Sequence, residues 1–226
     1  QLKVWWAMLK IGLPAGAEFI LLSVYMGLVY VIIRPFGAAA QAGFGVGARV
    51  MQALFLPVVA LSFAVSPVVG QNFGSRRADR VRESVKAAVG LAAGMMFMLT
   101  IITWIAARWM IRPFTTDASV IAFGGEYLTI VALNFVASGI AFSCSSVFQG
   151  IGNTMPPLIS SASRLFLFAL PAALLSGRPG FQIRYVWYLS AASQFIQACF
   201  ILLLLRRELG RKLHFEAVPV ASAAPA

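Results

Sequence analysis

The chain has 226 residues, of which 60% are hydrophobic and 11% charged, and its formal net charge is +11. A water-soluble domain of this length needs more polar surface, so the composition excludes an ordinary soluble protein and points to the membrane. The charge does not make it a nucleic-acid binder, because the basic residues gather between apolar runs and at the tail, not along a polar face.

Six apolar runs follow in chain order, at residues 11–33, 50–70, 87–107, 127–149, 157–176 and 185–205. Each has about 20 residues, enough to cross a ~30 Å hydrocarbon layer as a helix. Period-2 alternation is absent, which argues against a transmembrane barrel. The predicted fold is all-α and polytopic: six transmembrane helices over residues 1–210, then a disordered tail at 211–226, rich in small residues and Pro. Gln1 is not an initiator methionine, which predicts a processed chain or a piece of a longer one. The first run is too long for a signal peptide and has no small-residue cleavage site.

The first run holds Glu18, the only acid near the middle of any run, with Pro14, Leu21, Leu22 and Tyr25 on the same helical face. A desolvated carboxyl group at that depth could bind and release a proton near neutral pH, or ligate a bare cation. The alternative is a structural acid paired with Lys10 or an arginine. The second run starts beside Arg49, carries Gln52, and contains Pro57 and Pro67, each of which removes a backbone donor and kinks the helix. Kinked helices can line a cavity or can simply be bent. The run closes on a polar knot, Gly70-Gln71-Asn72-Phe73-Gly74, followed by Arg76, Arg77, Arg80, Arg82 and Lys86. The tetrapeptide Ile-Arg-Pro-Phe occurs at 33–36 and again at 111–114, where the first and third runs end, a position that fits an internal repeat.

The fourth run holds Asn134, Ser138, Ser143, Ser145, Ser146 and Gln149, a stripe that either glues helices together or lines a polar passage. Cys144 in this run and Cys199 in the sixth read as packed thiols, not as a disulfide or metal site. The fifth run contains Arg164, read as snorkelling to the near membrane edge, and a third proline, Pro171.

Six spans place both ends on one side. With them fall Lys3, Lys10, Arg76, Arg77, Arg80, Arg82, Lys86, Arg206, Arg207, Arg211 and Lys212; the other side has only Arg34, Arg108, Arg112, Arg178 and Arg184. The bias predicts an integral protein of the inner membrane with both ends in the cytoplasm. The 76–86 loop is also compatible with an anionic-lipid contact. Catalysis has little support. The only histidine, His214, lies in the tail, no two acids share a run, and no Gly-rich phosphate loop precedes a lysine. The chain reads first as a transporter segment and not an enzyme, with an intramembrane enzyme as a distant second reading and a membrane scaffold or assembly subunit as the third.

Three stretches carry a resemblance. PVVALSFAVSPVVGQNFGSRRADRVRESV resembles the end of the eighth helix and the following loop of multidrug and toxic compound extrusion (MATE) transporters. VFQGIGNTMPPLISSASRLFLFALPAALL resembles their connection from tenth to eleventh helix, and LKIGLPAGAEFI the start of their seventh. The resemblance covers roughly residues 5–210. It implies the second lobe of a two-lobe, twelve-helix antiporter that exports organic cations, drugs or metabolites in exchange for sodium ions or protons, with no other cofactor and no metal. Its partners would be a small-molecule substrate, membrane lipids and an N-terminal six-helix lobe. Glu18 matches the family's acid in the seventh helix. The acid that some members carry within the tenth helix is missing, since only Glu126 stands at its outer edge, and the coupling carboxylate could sit in the absent lobe. Glu18, Tyr25, Gln52, Asn134 and Ser138 are the transport and coupling candidates; Pro57, Pro67 and Pro171 are the kink and gating candidates. Flippases for lipid-linked sugars share the two-lobe plan, but carry more cations in the cleft than this sequence offers.

Overall fold

A computed structural model describes residues 2–213. Its α-helices are α1 (Leu2–Ile33), α2 (Ala38–Gly74), α3 (Ala78–Ile111), α4 (Ala118–Val131), α5 (Phe135–Gly150), α6 (Met155–Ser176) and α7 (Ile183–Lys212). α4 and α5 form one span joined by a 3₁₀ turn at Ala132–Asn134, so the helices long and apolar enough to cross a membrane number six among the described residues. Leu2 and Lys212 therefore lie at the same end, called the terminal side below.

The helices outrun the apolar runs that predict them. The second run, read at 50–70, sits inside the 37-residue α2. A helix of that length rises about 55 Å, well beyond a ~30 Å hydrocarbon layer. Hydropathy marks only the part in hydrocarbon, while nothing breaks the helix at the interface. α1 starts near residue 2 for the same reason and leaves Trp5 and Trp6 exposed at the terminal side. At the opposite edge Trp109 is exposed and packs under the Arg112 guanidinium, 4.2 Å from the ring centroid. Aromatic rings at both edges suit the two membrane interfaces.

Helix ends have local causes. Both Arg-Pro-Phe copies build the same element, a 3₁₀ turn at Arg34–Phe36 after α1 and at Arg112–Phe114 after α3. Asp117 caps α4, its carboxylate accepting from the Ser119 and Val120 amides at 2.7 and 3.3 Å. The polar knot at 70–74 is not the turn that its glycines indicate. α2 runs through it to Gly74, and the chain reverses at Ser75–Arg77. Gly70 serves packing instead: a Cβ there would lie 3.1 Å from the Gly150 carbonyl oxygen, and one on Gly150 only 2.6 Å from that of Ser66. The backbones of α2 and α5 touch at this point.

The α4–α5 span is the spine of the lobe. Its apolar window is 72% buried, against 17–28% for the first, second, third and fifth spans, because α2, α3 and α7 all pack on it. α6 packs on α7, and α1 lies along α6 with little contact to α2. Two apolar clusters fill the interior. One, toward the far side, gathers Phe44, Tyr127 and Trp187 in mutual ring contact. The other, toward the terminal side, gathers Val69, Val147, Phe148, Ile201 and Leu205.

The disordered tail expected at 211–226 does not hold at its first two residues. Arg211 and Lys212 are still helical, because Glu208 binds them one turn back, at 3.0 and 3.2 Å. Residues 214–226, with His214, lie outside the described residues.

Candidate functional site

The register between α1 and α6 fixes the site. At the terminal side the Thr154 hydroxyl donates to the Ile11 carbonyl at 3.1 Å. Fourteen residues further along each helix, Tyr25 and Phe168 meet edge to face, ring centroids 4.8 Å apart. Equal steps on both helices mean that α1 and α6 run parallel and in register over about 21 Å.

Glu18 lies midway, where α1 faces α5. Its Oε2 accepts from the Ser145 hydroxyl at 3.3 Å, while Oε1 is buried without a partner. No ion pair involves Glu18 among the described residues; the acid–base pairs are Asp79–Arg82, Glu126–Arg184, and Glu208 with Arg211 and Lys212. Lys10 is exposed and does not reach it.

Tyr25, two helical turns beyond Glu18, is buried, and its hydroxyl shares a 2.6 Å hydrogen bond with Ser190 on α7. The Arg164 guanidinium lies over its ring, 4.5 Å from the centroid. This corrects the snorkelling expectation. Arg164 leaves α6 one turn nearer the terminal side than Phe168, yet its head group reaches the level of Tyr25. The guanidinium takes the π contact of a buried aromatic face. Its Nε is buried with no hydrogen-bond partner.

Ser190 opens a polar face on α7 that sequence reasoning passed over: Ser190, Ser193, Gln194 and Gln197, all buried. The Gln197 amide donates to the Ser161 hydroxyl at 3.2 Å, and Ser160 donates to the Gln197 carbonyl at 3.5 Å. The signal was available. Spacing i, i+3, i+4, i+7 within an apolar run is one face of a helix.

The other candidates do not join this group. Asn134 is buried in the 3₁₀ turn with its Oδ1 unpartnered, and Ser138 is buried on α5. They stand eleven and seven residues before Ser145, about 16 and 10 Å along the span. The fourth-run stripe thus supplies Ser145 to Glu18, and not its first two members. Gln52 is exposed on α2 and makes no hydrogen bond. Pro57 and Pro67 are exposed within an unbroken α2; Pro171 is half-buried and leaves the Leu167 carbonyl without its helical donor. Among the described residues no group of three His, Cys, Asp or Glu side chains could hold a metal ion. The site can accept a proton or a small cation at Glu18, and it holds an unpaired cation at Arg164.

A profile of the MatE family matches residues 14–175. The chain is 24% identical over 167 residues to the "Probable multidrug resistance protein YpnP" of Bacillus subtilis, covering 74% of this chain and 38% of that protein. It is 23% identical over 171 residues to an "FAD transporter" of Shewanella oneidensis, covering 76% and 38%. Its fold matches the outward-facing conformation of a multidrug resistance MATE family transporter of the MOP superfamily with a TM-score of 0.86 at 19% identity, over 92% of this chain and 47% of that one. The chain thus spans less than half the length of the relatives it matches.

Proposed function

The chain belongs to the MatE family, and from that premise we propose that it forms one six-helix lobe of a secondary active antiporter. The proposed activity is export of organic cations, drugs or metabolites in exchange for sodium ions or protons. The names of the relatives, multidrug resistance proteins and an FAD transporter, support transport of small organic molecules and leave the substrate broad. They favour transport over catalysis and over lipid-linked sugar flipping. The proposed setting is the inner membrane, with both ends of this segment cytoplasmic and an N-terminal lobe as partner.

One observation carries the coupling role: Glu18 is held by a single hydroxyl, with its other oxygen unpartnered and no base beside it. A carboxylate so placed exchanges a proton or a bare cation more readily than one locked in an ion pair. The test is Glu18→Gln, which keeps the shape and removes the charge. In everted vesicles from cells expressing the lobe together with its N-terminal partner lobe, the variant should lose uphill accumulation of drug. Folding and substrate binding should stay within about 1 kcal/mol of wild type, the scale for altering one membrane-embedded hydrogen bond. Accumulation per folded molecule that keeps the wild-type pH and sodium dependence would place the coupling site outside this chain.

A further inference from the structure

A cavity of about 250 Å³ opens between α6 and α7, lined by Ser163, Arg164, Leu167, Ile196, Gln197 and Phe200. Its polar wall has one cation and no acid. Arg164 makes no ion pair and no hydrogen bond among the described residues, and its Nε is fully buried. The Tyr25 ring centroid lies 4.5 Å from the guanidinium carbon, and the ring supplies no hydrogen-bond acceptor to its N–H groups. The neighbouring polar groups make no hydrogen bond to the guanidinium among the described residues. The Ser163 hydroxyl donates to its own helix at the Ile159 carbonyl, 2.8 Å, and the Gln197 amide is bonded to Ser161. A guanidinium without a counter-charge inside a membrane-spanning segment is costly and calls for an anion from elsewhere. Its planar fork fits an oxyacid group through two parallel hydrogen bonds. The remaining walls, Leu167, Ile196 and Phe200, are apolar. The volume is below the range of drug-sized pockets, so it takes one end of a ligand and not all of it.

We propose that this cavity is a substrate subsite that binds a carboxylate or phosphate group carried on an apolar ring or chain, with Arg164 as its anchor. The proposal rests on the transport reading and adds a residue to it: Arg164 is the group that recognises the acidic end of a substrate carrying one.

The test uses two dyes that share a xanthene core, anionic fluorescein and cationic rhodamine 123, with binding to the purified protein followed by fluorescence polarisation. Wild type should bind both. Arg164→Gln should weaken fluorescein binding at least tenfold and leave rhodamine within twofold, and Arg164→Lys should fall between wild type and Arg164→Gln for fluorescein. If Arg164→Gln fails to fold, Leu167→Trp, at a half-exposed position, fills the cavity with the arginine in place and should also exclude fluorescein selectively. Binding measured in phosphatidylcholine nanodiscs should be unchanged when phosphatidylglycerol is added. Loss of fluorescein binding in the anionic discs would make a lipid headgroup the occupant and overturn the proposal. So would equal losses for both dyes, no loss for either, or no fluorescein binding by wild type. Uphill rhodamine accumulation in vesicles, measured in parallel, reads the transport proposal separately: it can persist while the subsite fails.

Discussion

Arg76 closes α2 in a left-handed conformation, φ 56°, a place that usually belongs to glycine. The geometry is that of a Schellman turn: the Arg77 amide bonds the Asn72 carbonyl at 3.0 Å and the Arg76 amide bonds that of Phe73 at 3.1 Å. A side chain bearing Cβ in this region costs about 1 kcal/mol. Arg76 is exposed and forms no ion pair, so its side chain returns nothing visible to the fold. Arg76→Gly is therefore expected to raise the thermal unfolding midpoint in detergent, by the equivalent of about 1 kcal/mol. A lowered midpoint would show that the side chain makes a stabilising contact. The same turn at the end of α5 has Gly152, φ 71°, in the equivalent place, and there the sequence marks the turn correctly. At 70–74 the sequence misleads, because Gly70 answers a backbone approach from α5 that only the assembled fold contains. Arg164 divides in the same way. Its depth in the run is legible, but the direction of its side chain depends on Tyr25, 139 positions earlier in the chain. Glu18 was legible as the lone acid inside a span; its partner Ser145 was one of the six residues of the polar stripe in the fourth run, with nothing local to single it out.

Within the spans, apolar length read out reliably, because lipid imposes it on each helix separately. Two features of that kind were not read. The α7 stripe was missed although its periodicity is local. The break between α4 and α5 has no proline or glycine at its centre, Ala132-Leu133-Asn134, and it survives because α3 supports it. The Thr100 hydroxyl lies 3.1 Å from the Ala132 carbonyl and 2.9 Å from that of Met96, and the Trp104 indole donates to the Thr129 carbonyl at 3.0 Å. A turn in mid-span frees backbone acceptors, which hydrocarbon cannot satisfy. Thr100→Val removes that donor and should destabilise the lobe by about 1 kcal/mol, with Thr100→Ser near wild type. Thr103, one turn along α3, is the internal control. Its hydroxyl is buried with no partner, so Thr103→Val should be neutral or stabilising under the same thermal assay. Equal losses at both positions would assign the effect to packing and detach the 3₁₀ turn from Thr100.

At the largest dimension the lobe is polarised by charge. Arg76, Arg77 and Arg80 line one open cavity of about 430 Å³ with Leu213, so the α2–α3 loop and the end of α7 meet at the terminal side. Arg206, Arg207, Arg211 and Lys212 extend the same basic surface, while Glu208 inside it is engaged by Asn153 at 2.8 Å and by Arg211 and Lys212. The far edge has fewer cations, and two of them are occupied locally: Arg184 by Glu126 and Arg112 by the Trp109 ring. On the terminal side Arg82, Arg211 and Lys212 are likewise paired, so the bias remains that of the residue count, and it predicts that side in the cytoplasm. Single cysteines make this measurable. Cys199 is exposed and must first become serine, whereas Cys144 is buried and can remain. In that background, cysteines at Ser75, in the α2–α3 turn, and at Asp79, in the first turn of α3, both exposed, should resist an impermeant maleimide applied to intact cells and react once the membrane is opened. A cysteine at exposed Thr116, between α3 and α4, should react from outside in intact cells. Labelling of position 79 from outside would invert the lobe. Inversion would also move the Thr154–Ile11 end of the α1–α6 pair to the outer face, so that Glu18 would be the first of the two site charges met from outside and Arg164 the second.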